Sequence, residues 1–299
     1  MKKIYPIMFF VSIALAASAA VLVGIYGLNL GIDFKGGSVL DVTFDGERPS
    51  GDVILEALAS DLSDIQGLRE VQATPRGENG MLLRSGPLSE ADHRAVLGVL
   101  TDVSEGTVSE ESFESIGPAI GQELKDKSIR AILFLIAAVV IYIAIVFRGM
   151  SRVLSPWAMG LAAIVALFHD ILVPVGVFAY LGHVLDIQIT AVFVAAVLTV
   201  LAYSLSDTVV VFDRVRENIL RGSTDSFAAI VHTSVMQTVV RSINTTVTTL
   251  AALIAILVFG GASLHYFALA LIIGIALGSY SSIFVATPLL VWFSRRRGT

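Results

Sequence analysis

Two residues of opposite charge stand inside segments that are otherwise apolar: Asp207 in VLTVLAYSLSDTVVVF, and Arg241 just ahead of SINTTVTTLAALIAILVF. A charged side chain at membrane depth costs about 3 kcal/mol or more, so it marks an ion path or an internal partner. A carboxylate at such a place can take up and release H+ or Na+, with burial working against its charged form and a guanidinium in favour of it. Arginine keeps its charge under ordinary conditions. Its part would be to displace the ion, or to complete the pair in one conformation. The plainer alternative is a static salt bridge that fixes helix packing.

The neighbours add hydroxyls. Tyr203, Ser204, Asp207 and Thr208 fall within little more than one helical turn, at spacings that put Ser204, Asp207 and Thr208 on adjacent sides of one face. Arg241 is followed by Asn244, Thr245 and Thr248, three, four and seven residues on, a polar stripe expected to face the bundle interior. Both charges lie near the end of their apolar runs, Asp207 about five residues or about 8 Å from it, so an ion pair or a shared water path is expected. Asp170 is the third candidate, as a relay or a sensor of the coupling ion, or else as a packing hydrogen bond. It precedes Pro174 by four residues, and the missing N–H there frees a backbone carbonyl. His169 stands beside it. Consecutive residues diverge by about 100° on a helix, so the two are not expected to share one site.

These residues need a membrane around them. The chain of 299 residues is 55% hydrophobic and 15% charged, more apolar than a soluble globule. Six apolar runs reach membrane length: about 6–28, 129–147, 153–181, 188–212, 238–259 and 264–293. Lys2 and Lys3, Arg148 and Arg152, Arg214, Arg216 and Arg221, and Arg295, Arg296 and Arg297 fall on one side if the helices alternate. The loops at 182–187 and 259–263 have no Lys or Arg. The positive-inside rule then places both termini in the cytoplasm and residues 29–126 outside. The first run extends well beyond the 7 to 15 residues or so of a signal-peptide core, and is read as a retained helix. Residues 127–299 are read as a five-helix membrane domain, interrupted by a cytoplasmic amphipathic segment at 213–236. Asp213, Arg214, Arg216 and Glu217 read as a solvated helix end.

The outer stretch is acidic: residues 29–128 hold 19 of the 25 Asp and Glu against eight Lys and Arg. Its pattern is β-α-β-β-α-β, with strands near 38–44, 68–74, 80–85 and 107–116 and helices near 50–62 and 88–102. That order predicts a ferredoxin-like α+β sandwich. His93 reads as a solvated residue on an exposed helix face, and His232 as exposed in the amphipathic segment. GIDFKGG (31–37) lacks the ending of a phosphate loop. Gly31, Asp33, Gly36 and Gly37 are read instead as a tight hinge between the first helix and the first strand. Ala270, Gly274, Gly278 and Ser282 recur every four residues, a small-residue face for close helix contact. There are no cysteines, which excludes disulfides and thiolate chemistry. With no nucleophile elbow, phosphate loop or metal cluster, the chain reads as something other than an enzyme, with no cofactor beyond a coupling ion.

GIDFKGG (31–37), ESIGPAIGQEL (114–124), FHDI (168–171), YSLSDTVVVFDRVREN (203–218) and RSINTTVTT (241–249), in this order around one large outer loop, resemble the SecF family of bacterial protein-export membrane subunits. The resemblance covers nearly the whole chain. Ser206 stands where the family pattern suggests Asn, and SINTT departs from a Thr-Ser ending. It implies membership of the resistance-nodulation-division superfamily and a location in the bacterial cytoplasmic membrane. It further implies SecD, the SecYEG channel, YajC, membrane lipid and a translocating polypeptide as partners, with no nucleic acid. The activity implied is ion-gradient-driven assistance to polypeptide export. Two rivals stand beside it: a half-size exporter of small molecules or lipids from the same superfamily, and a passive assembly scaffold.

Overall fold

The computed structural model describes residues 4–104, 106–148, 156–221 and 225–295. Lys2, Lys3, Arg152, Arg296 and Arg297, invoked above for orientation, lie outside the described residues, as do residues 222–224 within the expected amphipathic segment. The chain divides into two compact units, one of residues 1–29 with 130–299 and one of residues 30–129.

The smaller unit opens with a single helical turn, α2 (Ile32–Lys35), followed by β1 (Gly37–Phe44), α3 (Gly51–Asp61), β2 (Gln72–Arg76), β3 (Gly80–Ser85), α4 (Glu90–Val103) and β4 (Val108–Ile116). The sheet order is β2-β3-β1-β4, antiparallel throughout. β1 and β2 lie either side of β3, which is the split βαβ arrangement of a ferredoxin-like sandwich. Alternation along β1 buries Leu40, Val42 and Phe44 against Ile54 and Leu58 of α3 and Val96 and Leu100 of α4. Both helices begin where short polar side chains satisfy the first free N–H groups. Ser50 accepts from Val53 N, and Ser89 and Asp92 form a reciprocal capping box. The backbone N–H and hydroxyl of Ser89 both donate to Asp92, and these bonds hold its carboxyl below the usual carboxylate range. His93 is buried rather than solvated. Its ring stacks on Phe113 at 3.8 Å, and Nε2 lies 3.2 Å from Glu110. The apolar side of its ring covers core that a smaller polar residue would leave open.

GIDFKGG forms α2 and then turns into β1 through Gly36 (φ 77°) and Gly37 (φ 132°), values that disfavour any side chain. A Cβ on Gly36 would lie 2.8 Å from Pro118 Cα, so this turn is in close backbone contact with Pro118 in the middle of ESIGPAIGQEL.

The larger unit holds the membrane helices: α1 (Ile4–Tyr26), α5 (Pro118–Val146, its first turns in the other unit), α6 (Pro156–Leu185), α7 (Ala191–Leu220) and α8 (Phe227–Phe259), then α9 (Ala262–Ser281), a π-helical turn (Ser282–Ala286) and α10 (Thr287–Arg295). Six spans are long and apolar enough to cross a membrane, the last running through α9 and α10. Several helices outrun their apolar stretches. α8 starts at Phe227, capped by Ser226, so residues 227–236 are its first turns rather than a separate surface helix. Ile230, Val231 and Val235 give those turns a buried side, which explains the continuation. His232 is correspondingly half-buried, 2.9 Å from the Tyr5 hydroxyl.

Small residues set the tightest contacts. A Cβ on Gly176 of α6 would meet Ala19 of α1 at 2.5 Å. One on Gly274 of α9 would meet Val200 of α7 at 2.3 Å, and one on Gly278 would meet Ser204 at 2.9 Å. The small-residue face of α9 therefore packs on α7, the helix that carries Ser204 and Asp207.

Candidate functional site

Asp170 lies mid-way along α6 and has no exposed surface. Pro174 cannot donate to the carbonyl of Asp170, so the helix is loosened at this residue. Its Oδ2 accepts from Ser204 of α7 and Ser281 of α9, each at 2.6 Å. Its Oδ1 is 2.9 Å from Nδ1 of His169. The expectation that consecutive residues would serve different sites is thus overturned. Divergence at Cα does not prevent a short carboxylate and the near nitrogen of an imidazole from meeting across the helix surface.

Asp207, half-buried on α7, accepts from Ser242 of α8 on Oδ1 and from Ser282, the first residue of the π turn, on Oδ2 at 2.6 Å. Ser204, expected beside it, serves Asp170 instead. Thr208 is buried, its hydroxyl without a partner among the described residues. Tyr203 reaches Thr246 at 3.4 Å, and Thr246 bonds Ser279. The hydroxyls of α7, α8 and α9 therefore form one polar layer around two carboxylates.

Arg241 is not in that layer. It is exposed, as are Asn244, Thr245 and Thr248, and among the described residues no ion pair joins Arg241 to Asp207. The stripe faces away from this chain's own helices. Ser242 and Thr246, one position further round, face inward. A threonine-rich stripe can occupy that position because its hydroxyls bond back to the helix. Thr245 donates to Arg241 O, and Thr248 to Asn244 O, at 3.0 and 2.9 Å. α8 leaves 17% of its most apolar window buried inside the molecule, against 56% for α6. Beside the inward face, a groove of about 600 Å³ opens between α1, α8 and α9, lined by Tyr5, His232, Ser242, Thr246 and Tyr280 among apolar side chains.

With this geometry in view, comparison with known proteins is specific. The family model of the SecD/SecF protein export membrane protein, C-terminal region, matches residues 96–296, and the SecD/SecF GG motif matches residues 21–47. The protein translocase subunit SecF of Thermobaculum terrenum is 41% identical over 277 residues, covering 89% of this chain and 85% of that protein. SecF of Anaerolinea thermophila is 37% identical over 288 residues, covering 96% and 91%. The chain belongs to the SecF family. Its structure resembles the crystal structure of SecDF, a translocon-associated membrane protein from Thermus thermophilus, with a TM-score of 0.82 and 30% identity. That match covers 99% of this chain and 39% of the SecDF chain, so this chain spans well under half of that protein's length. A SecF-type chain with six such helices is a multi-pass membrane protein.

The family matches include all the helices that hold the two acids. The sequence singles out Asp207, Asp170 and Ser204 as site residues, but not Ser242 or Ser281, and it marks Ser282 only as part of a packing face. The signal was present: SYSS, 279–282, puts three serines into an otherwise apolar span, and hydroxyls inside membrane helices find partners on neighbouring helices.

Proposed function

We propose that this chain is the SecF-type half of an accessory of the Sec translocase, which uses an ion gradient to assist polypeptide export together with SecD. The observation that carries the reading is Asp207: a half-buried carboxylate toward the end of the apolar run of α7, held by serines from α8 and the π turn with no ion pair to it among the described residues. Such a group is costly unless it binds an ion or meets a partner. Taking up H+ or Na+ removes that cost and frees Ser242 and Ser282 to bond elsewhere, which changes the preferred arrangement of α7, α8 and α9. Arg241 stands one residue from Ser242 on the outward face, where a second helix bundle would meet it. SecD supplies such a bundle, and Arg241, Asn244, Thr245 and Thr248 form the polar strip presented to it. In this reading both termini are cytoplasmic, residues 29–126 lie outside, and Gly31, Asp33, Gly36 and Gly37 pass motion from α1 into the outer unit. SecYEG, YajC, lipid and the moving polypeptide complete the surroundings.

The test is precursor uptake into inverted vesicles whose only copy of this subunit is Asp207→Asn or Arg241→Met, with a gradient imposed. Both variants should assemble and lose the gradient-stimulated part of uptake. Full stimulation would point to a passive scaffold. The half-size exporter predicts normal precursor uptake, together with loss of efflux of a small apolar compound in the same variants.

A further inference from the structure

The His169–Asp170 pair carries more than a packing role. Asp170 Oδ2 is occupied by two hydroxyl donors, so any proton between the pair lies on the line from Oδ1 to His169 Nδ1. His169 is 4% exposed, and its other nitrogen, Nε2, has no partner among the described residues. With one proton between Nδ1 and Oδ1 the pair has a net negative charge, and Nε2 presents a bare lone pair. A second proton neutralises the pair. Whichever of Nδ1 and Oδ1 keeps the first proton, the second resides on Nε2.

We propose that His169 and Asp170 form a second proton site in the bundle, filled at His169 Nε2 and linked to Asp207 through Ser281 and Ser282. This rests on the ion-coupling reading of Asp207 and adds both a second group and the identity of its ion. The link is the helix break. Ser281 and Ser282 are consecutive, yet they bond two acids carried on different helices, and the π turn begins between them. π turns inside helices occur often at functional sites. Each hydroxyl has one proton and a second acceptor within reach, Gly278 O at 3.1 Å for Ser281 and Ser279 O at 2.9 Å for Ser282. When an acid is neutralised, its serine can turn to the backbone without leaving a polar group unmet. One turn of α9 thereby senses the charge of both acids.

Among the described residues the surroundings supply no cation bonded to the pair. From α7 the titratable neighbour is Asp207. From α9 it is Tyr280, whose ring lies 6.4 Å from His169 and whose hydroxyl donates to Met8 O and accepts from Ser12. α1 offers Tyr5, bonded to His232 of α8, and α10 offers Arg295, exposed at its end. No Lys or Arg bonds to His169 or Asp170 among the described residues.

The test uses the full chain with its partner subunit in lipid nanodiscs, labelled with 15N-histidine. The His169 signal is assigned by its loss in His169→Asn. The expected result is a bare Nε2 at alkaline pH that gains a proton on acidification, with the transition moved to lower pH in Asp207→Asn, since a nearby negative charge favours the imidazolium. A protonated Nε2 at every pH, or a transition unmoved by both Asp207→Asn and Ser281→Ala, overturns the proposal. Vesicle uptake separates the two readings. Unchanged stimulation in Asp207→Asn sinks the coupling function itself. Loss in Asp207→Asn with full stimulation in His169→Asn sinks only the second site.

Discussion

At Asp207 two serine hydroxyls from different helices converge on one carboxylate, and each donates its only proton there. Hydrogen bonds to a charged group are worth about 1.5–3 kcal/mol, so either serine can bias which helix arrangement the ionised acid prefers. Ser282→Ala should lower gradient-stimulated uptake several-fold while leaving the amount of inserted protein unchanged. Ser282→Thr, which keeps the hydroxyl, should retain most of it. An equal loss in both variants would show that space, and not the hydroxyl, is what matters at 282. Arg241 teaches a different lesson. Its spacing with Asn244, Thr245 and Thr248 is legible as a stripe on one helix face, but spacing carries no information about which way that face turns. The azimuth of α8 is set by where Ser242, Thr246 and Leu253 bury, and one polar stripe could not be told from the other by period alone.

For the elements, the helices' existence was readable from run length, and the outer unit from alternation switching to helical spacing after Ser50 and Ser89. Their ends were less readable, because α7 and α8 continue past the apolar runs on polar turns that neighbouring helices partly cover. Close packing was visible in part: the four-residue spacing of Ala270, Gly274, Gly278 and Ser282 marks a contact face, whereas the π turn at Ser282 leaves no local signature. Gly274→Ala should destabilise the α7–α9 contact by about 1–3 kcal/mol, the usual range for overpacking, since its new methyl would fall 2.3 Å from Val200. Thermal unfolding in detergent should show a lowered midpoint, largely restored by adding Val200→Ala. In α4, the capping box gives a pH-dependent increment. Asp92 is held below its ordinary range in the folded state, so its contribution is present near neutral pH and is lost as pH falls through and below the usual carboxylate range. The gap in urea midpoint between the native protein and Asp92→Ala should therefore narrow in strong acid. A gap unchanged from pH 7 to pH 2 would contradict the capping account.

The molecule as a whole joins two differently stabilised units. Residues 30–129 have their own apolar core around Phe44, Leu58, Met81 and Leu100, enough for an independent fold without disulfides. Expressed alone, this stretch should unfold cooperatively, and Phe44→Ala should cost about 3–5 kcal/mol. A broad, non-cooperative melt of the isolated stretch would show that it depends on the membrane helices. The membrane unit is stabilised differently, by glycine-mediated contacts and a shared polar layer, and one of its faces presents a cation to whatever surrounds it.

If a companion subunit covers that outward guanidinium, as proposed, Arg241 would give the cell a means of quality control. A copy of this chain left without its companion would turn Arg241 toward lipid, at a cost of up to about 3 kcal/mol, and would be a target for membrane proteases. Depleting SecD should shorten the half-life of this chain in a pulse-chase, and Arg241→Leu should lengthen it again. Stoichiometry between the two halves would then be enforced by turnover of the surplus, with no need for matched synthesis.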